Sequence, residues 1–431
     1  MELLSLELQG FRGLADQTID LEPEPFRSGG LQPIVFVGTN GSGKSSLLEA
    51  IAILLSWVTT RLVKPNGKGR SLQPSDIRTP DTSQALIRLT LDPNLYPSRP
   101  ITWELACTQN GQNPTATGHY DQLNDWLKEH RSRYGQEPDL TLPCIVYYPT
   151  HRRLQAPQLF QKLKRQGFQS LDIYKEALPD ATAEFDEFLQ WLNYQTALED
   201  NQRLNTSLDY RDPHLCVVRT ACSQFLKDYG ELRILRTATD TTIVVQKHSV
   251  TLNITQLSDG EKNLLTLVGD LARRLAIANP HLSDPLQGTG VVLIDEIELH
   301  LHPQWQSSIL EKLCTTFPNC QFILTTHSPQ VITNLDWVYL LEPTPQGNRC
   351  RSVRTYGKDS NRILEAIMEA PSRSALLQQK VQHLFALIKS GKLEQAHALR
   401  SELLSDLDDP SIDPELIRAS WLMTDYSTEK V

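Results

Sequence analysis

Apolar residues along the chain follow two different periods, and segments of the two kinds alternate. Residues 3–8 alternate apolar and polar side chains, which is typical of a strand with one buried face. Short continuous apolar runs predict strands buried on both faces, at residues 33–37, 291–294 and 321–325. Longer segments with helical spacing alternate with predicted strands, at residues 44–57, 263–278 and 304–317. This alternation predicts an α/β fold with a mostly parallel sheet flanked by helices.

The middle of the chain has a mixed pattern. Residues 61–80 are rich in Gly, Pro, Lys and Ser and are predicted to form a loop. Further strands are predicted at residues 85–91, 101–107, 144–148, 241–245 and 250–254, the first three in a β-rich section. Between residues 160 and 235 helical spacing dominates, and i, i+3, i+4, i+7 spacing predicts an amphipathic helix through Phe185, Phe188, Leu189 and Leu192. We interpret this region as a helical insertion.

The last part of the chain is predicted to form three successive helices. Apolar residues mark one helix over residues 376–388 and a second over residues 393–403, with a break at Ser390-Gly391-Lys392. Asp413 followed by Pro414 is typical of the N-terminus of a third helix.

Composition narrows the class of protein. The chain has 431 residues, 42 Lys+Arg against 51 Asp+Glu, and a formal charge of −9, which argues against a wholly basic nucleic-acid binder but leaves a local basic patch open. Seven cysteines without C-x-x-C spacing predict reduced thiols rather than a disulfide framework. The longest apolar stretch, residues 50–58, is about half of the ~20 residues that span a bilayer. We therefore expect a cytoplasmic protein without a membrane partner.

A glycine-rich string lies between a predicted strand and a predicted helix. It fits G-x-x-x-x-G-K-[ST] and reads Gly38-Thr39-Asn40-Gly41-Ser42-Gly43-Lys44-Ser45. Its glycines let backbone N–H groups turn toward phosphate oxygens at the positive end of the following helix. Lys44 would reach the β- and γ-phosphates of a nucleotide, and Ser45 would ligate Mg²⁺. We include Ser46 among the predicted nucleotide contacts.

A second strand of the predicted sheet ends in two acids, Asp295 and Glu296. At the edge of the sheet that carries the phosphate loop, Asp295 could hold the Mg²⁺ shell. Glu296 could then polarise the attacking water as a general base. Solvated acids at a strand end are the alternative.

Two further motifs lie near these. Ser258 with Glu261 three residues later predicts a capping box, and a helix N-terminus with Ser258 and Gly260 is also an anion site that could meet the γ-phosphate of a second subunit. His327 follows the next apolar strand and could hydrogen-bond the γ-phosphate. His300 and His302 suggest a metal site, but without a third ligand a turn at a dimer seam is the favoured interpretation.

Together these motifs resemble ABC-type ATPases of the SMC/RecF/OLD-like branch. Leu257-Ser-Asp-Gly-Glu resembles their signature, and Asp295-Glu-Ile-Glu-Leu-His-Leu-His-Pro resembles their Walker B and D-loop. The resemblance implies a P-loop ATPase head that binds ATP and Mg²⁺, forms head-to-head dimers, and places Arg12 near the nucleotide. The branch's Q-loop glutamine is absent from Tyr147–Arg153, so that assignment stays open.

The tail narrows the resemblance. Thr355–Leu364 and the helices after it are similar to the ATPase subunit of Septu antiphage systems of the PtuA type, including those encoded with retrons. That resemblance implies a separate HNH-type nuclease, docked through residues 372–431, with nucleic acid contacted directly or through the partner. The alternative is that these helices only pack on the ATPase core.

We therefore predict four parts. These are an N-terminal ATPase lobe with the phosphate loop and β-section (residues 1–150), a helical insertion (151–240), a C-terminal ATPase lobe (241–345) and a C-terminal helical docking tail (346–431). A DNA-repair or chromosome-maintenance ATPase of the RecF/SMC type and a transporter ATPase subunit are the alternative functions.

Overall fold

The computed structural model describes most of the chain. The residues outside the description are 23, 27–28, 81, 94–98, 110–119, 135, 138–139, 154–167, 180–181, 227–228, 237–240, 248–249, 358–374, 407–413 and 429–431. The chain divides into two compact units, Met1–Ile363 and Leu364–Val431. Most of the Septu-like segment Thr355–Leu364 lies outside the described residues.

The main sheet of the first unit is parallel except at one edge. In the described part of the chain its order is β15-β14-β3-β13-β12-β6, with only β15 antiparallel to its neighbour. The strands are β3 (Ile34–Val37), β6 (Cys144–Tyr148), β12 (Gly290–Ile294), β13 (Cys320–Thr325), β14 (Trp337–Glu342) and β15 (Arg349–Arg354). The four strands from β3 to β6 in this order are buried throughout, as their unbroken apolar runs predict. The predicted parallel sheet is confirmed, and residues 144–148 belong to it rather than to the β-rich section.

A second, antiparallel sheet lies in the same unit, with the order β2-β1-β4-β5. Its strands are β1 (Glu2–Gln9), β2 (Gln17–Asp20), β4 (Gln84–Asp92) and β5 (Ile101–Thr108). The buried Gln321 side chain at the start of β13 joins it to the main sheet: its Oε1 accepts from the Leu3 amide at 2.7 Å, and its Nε2 donates to the Leu3 carbonyl at 3.0 Å.

Helix α1 (Lys44–Val63) contacts strands of both sheets. The helix extends three residues into the segment 61–80 that was predicted to be a loop. Leu62, in this extension, is buried. Its length and apolar composition would suit a membrane span, but most of its residues are buried inside the fold. We therefore describe it as a core helix.

The middle of the chain is mixed rather than purely helical, so the predicted character of the insertion is only partly right. Strands β7 (His151–Arg153) and β8 (Thr182–Glu184) pair in parallel. Helices α3 (Asp186–Asn205) and α4 (Pro213–Phe225) follow β8. Helix α2 (Asp121–Tyr134) lies earlier in the chain, before β6. The predicted amphipathic residues are all buried, with Phe185 at the N-cap of α3. A three-stranded antiparallel sheet then forms in the described residues from β9 (Tyr229–Arg236), β10 (Thr241–Lys247) and β11 (Val250–Asn253).

The remaining helices of this unit are α5 (Asp259–Ala278), α6 (Pro303–Gln306), α7 (Ile309–Thr316) and α8 (Pro329–Ile332). The prediction of one helix over residues 304–317 is wrong, because the chain breaks at Ser307 and Ser308. Both serine hydroxyls donate to carbonyls of the preceding turn, at 3.0 Å to Gln304 and 3.4 Å to Trp305. Such bonds compete with the regular helical pattern.

The second unit has a core of its own. Its helices are α9 (Ala375–Lys389), α10 (Leu393–Asp406) and α11 (Pro414–Thr428), which confirms the predicted helices. The break between the first two falls at Gly391, whose φ of +73° suits glycine. The core is apolar: Val381, Leu384, Leu387, Ile388, Ala396, Leu403, Leu416, Ala419 and Met423. Asp413 lies outside the described residues.

Candidate nucleotide site

The glycine-rich string forms the turn between β3 and α1. Gly38, Gly41 and Gly43 all have positive φ. A Cβ at Gly38 would lie 2.7 Å from the Ser42 hydroxyl and 2.9 Å from the Leu341 carbonyl, and one at Gly43 would lie 2.7 Å from a methyl of Leu14. The turn therefore requires glycine at both positions, and it places α1 with its N-terminus at the carboxyl end of β3.

Two buried groups in this turn fit a phosphate ligand. The Lys44 ammonium donates to the Gly38 carbonyl at 3.0 Å and to the Thr39 carbonyl at 2.9 Å. Burial lowers the pKa of Lys44 to about 8, although the facing carboxylates of Asp295 and Glu296 oppose that shift. The Ser42 hydroxyl is buried without a hydrogen-bond partner among the described residues. A cation, an unpartnered hydroxyl and a helix N-terminus make a site for an anion.

The two acids follow β12 at the same edge of the sheet. Asp295 is buried, and its carboxylate accepts from the Thr325 hydroxyl at 2.5 Å and from the Thr150 hydroxyl at 2.7 Å. These bonds fix its two oxygens. Ser45 and Asp295 offer the hard oxygen ligands that Mg²⁺ prefers, with phosphate and water completing the shell.

Glu296, the second acid, has an unusual backbone conformation and a perturbed carboxyl group. Its φ is +47°, and its amide donates to the Thr325 hydroxyl at 2.7 Å. Burial and the neighbouring carboxylates of Asp295 and Glu298 raise the pKa of Glu296. A carboxylate with a raised pKa in a phosphate site is suited to accept a proton.

His327 lies after β13 in the same group. Its main-chain N–H donates to the Glu298 carboxylate. Burial and the charge of Lys44 lower the pKa of His327, which favours a neutral imidazole near pH 7. The sequence analysis did not single out Glu298, although it is the third acid of the Asp295-Glu-Ile-Glu string.

Arg12 lies against the first turns of α1. Its guanidinium is 3.4 Å from the Ser46 hydroxyl and forms ion pairs with Glu49 at 2.5 Å and with Asp76 at 3.0 Å. The structure therefore places Arg12 next to the phosphate loop, with its charge held by two carboxylates.

The predicted capping box is present at the N-terminus of α5. The Ser258 hydroxyl accepts from the Glu261 amide at 3.3 Å, and the Ser258 amide donates to the Glu261 carboxylate at 2.8 Å. Burial raises the pKa of Glu261, but hydrogen bonds from Tyr229 and Lys247 outweigh it and lower the pKa to about 2.

Gly260 packs against the backbone of His300 and Leu301 of the same chain. A Cβ there would collide with the main-chain carbonyl of His300, which has a φ of +63°. His302 caps α6 by accepting from the Gln304 amide at 3.3 Å. In the part of the chain that the structure describes, no hydrogen bond joins Ser258 or Gly260 to residues 38–46.

The chain matches known ATPases along most of its length. Residues 34–333 match the family described as "AAA domain, putative AbiEii toxin, Type IV TA system", and residues 1–60 match "AAA ATPase domain". The chain belongs to this family of AAA-domain proteins. It is an ATPase, which confirms the activity predicted from the phosphate loop and the acidic strand end.

Curated relatives of this ATPase come from retron and Septu systems. It is 30% identical to the Retron Vc95 probable ATPase of Vibrio cholerae, over 84% of this chain and 79% of the relative. It is 28% identical to the Retron Ec83 probable ATPase of Escherichia coli, over 86% of this chain and 77% of the relative. It is 22% identical to the Septu protein PtuA of Bacillus mycoides, over 77% of this chain and 38% of the relative. The predicted relation to Septu and retron ATPases of the SMC/RecF/OLD-like branch is confirmed.

Among solved structures, an SMC head domain from Thermotoga maritima is 18% identical over 82% of this chain and all of that chain, with a TM-score of 0.44. The fold of this ATPase follows from its own parallel sheet and phosphate loop, and from the family match.

Proposed function

We propose that this ATPase is the ATP-hydrolysing subunit of a cytoplasmic, Septu-like antiphage defence system, which dimerises around ATP and controls a separate HNH-type nuclease. The main support for ATP hydrolysis is the group of charged and titratable side chains beside the phosphate loop: Lys44, Asp295, Glu296 and His327. The relation to two retron ATPases, each over more than 80% of this chain, supports the system.

Each residue of the site has a role in hydrolysis. Backbone N–H groups of residues 38–46 and the Lys44 ammonium bind the β- and γ-phosphates. Ser45 and Asp295 would hold Mg²⁺, which would supply positive charge to the phosphate oxygens. Glu296 takes a proton from the attacking water as the oxygen bonds to the γ-phosphorus and the bond to the β-phosphate oxygen breaks, which yields ADP and phosphate. His327 donates a hydrogen bond to the γ-phosphate.

The second half of the site comes from another copy of the chain. Ser258 and Gly260 at the N-terminus of α5 form an anion site that, among the described residues, has no hydrogen bond to the chain's own phosphate loop. A head-to-head dimer would bring them to the γ-phosphate of the other subunit, while Arg12 and Ser46 stay beside the nucleotide of their own.

The helical unit at the C-terminus is the proposed docking site. Its core is closed by its own three described helices, yet Trp421 of α11 is 73% exposed and Ile417, one turn before it, is 39% exposed. Neighbouring apolar side chains left exposed on one helix face are suited to contact a partner protein.

The decisive experiment is purification of the native protein from its host, with mass spectrometry of everything that copurifies in a fixed ratio. An HNH-type nuclease in that ratio is the expected result. A homodimer alone, or one that holds only DNA and hydrolyses ATP faster with DNA, would refute the proposal in favour of a repair ATPase.

A pair of variants locates the partner. Trp421→Ala should release the nuclease while the ATPase rate is unchanged. Leu208→Ala removes an apolar side chain that is 79% exposed but lies outside the C-terminal unit, and it should leave the complex intact. Equal retention of the nuclease by both variants would contradict docking through α11.

A further inference from the structure

After β6 the chain leaves the main sheet, but the side chain of Arg152 in this segment contacts the candidate site. β6 ends at Tyr148, and β7 pairs in parallel with β8, Arg152 opposite Ala183. Arg152 belongs to Tyr147–Arg153, which lacks a glutamine. Its side chain is buried, with 8% of the residue exposed.

The guanidinium of Arg152 binds the backbone of both acids. Its Nη1 donates to the Asp295 carbonyl and its Nη2 donates to the Glu296 carbonyl, each at 3.0 Å. The planar fork of an arginine can bridge two acceptors in one fixed geometry, which a lysine cannot do.

These hydrogen bonds lie on either side of Glu296, whose backbone conformation is unfavourable. A glutamate with a φ of +47° adopts a left-handed conformation that non-glycine residues rarely adopt, so surrounding contacts must hold it. The Thr325 hydroxyl holds the Glu296 amide, and Arg152 holds the two carbonyls on either side of the Glu296 amide and Cα.

The burial of Arg152 is also unfavourable for the stability of the fold. Burial lowers the pKa of Arg152, and the facing carboxylates of Asp295, Glu296 and Glu298 oppose that shift. Its Nε is buried without a hydrogen-bond partner among the described residues. An unpartnered, buried N–H of a charged group is destabilising, and such costs concentrate at functional sites.

We propose that Arg152 is a positioning residue for ATP hydrolysis, which fixes the backbone of Asp295 and Glu296 and thereby directs the Glu296 carboxylate at the attacking water. The proposal rests on the role of Glu296 given above. Because Arg152 acts through the backbone of the acids and not on ATP, its loss should lower kcat and leave KM for ATP nearly unchanged.

The test compares Arg152→Gln and Arg152→Lys with Arg236→Gln, which removes an ion pair with Asp200 and hydrogen bonds to Asn193. We expect kcat to fall about 10- to 100-fold in both Arg152 variants, since small errors in placing a reacting group have effects of this size. KM for ATP should change less than about twofold, and Arg236→Gln should behave as wild type. Unchanged kcat in both Arg152 variants would overturn the proposal.

A chemical-rescue measurement separates positioning from folding. In Arg152→Gly, millimolar guanidinium should restore part of kcat without raising the melting temperature, whereas urea at the same concentration should not. Restoration by urea as well, or a kcat that follows the melting temperature alone, would make Arg152 merely structural. If Arg152→Gly does not fold, the comparison of kcat with KM in Arg152→Lys decides.

The Glu296→Gln variant distinguishes the two proposals. A wild-type hydrolysis rate in Glu296→Gln would remove the general base and with it the basis of this inference. A slow Glu296→Gln together with normal Arg152 variants would refute the inference alone.

Discussion

The phosphate-loop edge of the first unit and the helical unit at the C-terminus are built on opposite principles. The phosphate-loop edge contains buried charged side chains, since Lys44 and Asp295 are nearly inaccessible to solvent. It also contains an unusual backbone conformation, the left-handed φ of Glu296. The core of the second is apolar, and none of its described residues is a buried polar side chain. Buried charges are unfavourable unless partners hold them, so the first region is organised for chemistry and the second for packing.

The largest expected effect separates the two regions by activity. Glu296→Gln should lower ATP hydrolysis by about 100- to 10,000-fold, because a general base is lost while the shape is kept. ATP should still bind and trap the dimer, whereas Lys44→Ala should abolish binding. Steady-state ATPase assays, calorimetric titration and light scattering measure these three effects.

Glu311→Gln, at an exposed position on α7, is the matched control and should leave the hydrolysis rate unchanged. A wild-type hydrolysis rate in Glu296→Gln would show that the Glu296 carboxylate is not the general base.

The next effect tests buried charge inside the first unit. Asp270 of α5 accepts from Arg273 at 2.6 Å, from Arg274 at 2.8 Å and from the Tyr148 hydroxyl at 2.9 Å, and all of these side chains are buried. Asp270→Asn would leave two arginines without a counter-charge, which should reduce the free energy of unfolding by about 3–5 kcal/mol. Denaturant titration measures it, with Asp200→Asn, at a half-exposed carboxylate, as the control.

The contribution of Asp270 to stability should also depend on pH. Burial raises the pKa of Asp270, but Arg274 and Arg273 outweigh it and lower the pKa to about 2. The carboxylate therefore contributes stability above its ordinary pKa of about 4, and that contribution is lost as the pH falls toward 2. Between pH 4 and 2 the melting temperature of the wild type should fall more steeply than that of Asp270→Asn. Parallel curves would argue against the ion pairs.

The apolar counterpart lies in the second unit. Leu384 is fully buried in the core of α9–α11, so Leu384→Ala should destabilise that unit by about 2–5 kcal/mol. Leu376→Ala, on the same helix but 67% exposed, should change little. Hydrogen exchange would report the loss in residues 375–406. A large loss of ATPase activity in Leu384→Ala would contradict the separation of the two regions.

The smallest effect concerns the N-terminus of α5. Ser258→Ala removes the hydroxyl that accepts from the Glu261 amide and should cost about 1 kcal/mol of local stability. Exchange of the Glu261 amide should accelerate accordingly. Ser258→Thr keeps the oxygen and should exchange as wild type does, so equal acceleration in both variants would exclude the cap as the cause.

The sequence predicted best what is encoded by neighbouring residues. The phosphate loop, the acids after β12 and the capping box at Ser258 each lie within eight consecutive positions, and the structure has each in its expected element. Arg152 and Thr150 were missed because their partners lie about 145 positions later, and no local spacing reports such contacts. The broken helix at Ser307 was missed for a different reason, since serine hydroxyls compete with helical bonds only in a particular geometry.

The order of the main sheet has a consequence for how the protein is made. The strand before the phosphate loop, β3, is synthesised nearly 300 residues before both of its neighbours in the sheet, β13 and β14. Pairings so distant in sequence are slow to form because a long loop must close first. A nascent chain therefore carries the phosphate loop without the sheet that supports it until β13 and β14 have been synthesised, and the nucleotide site is completed only then.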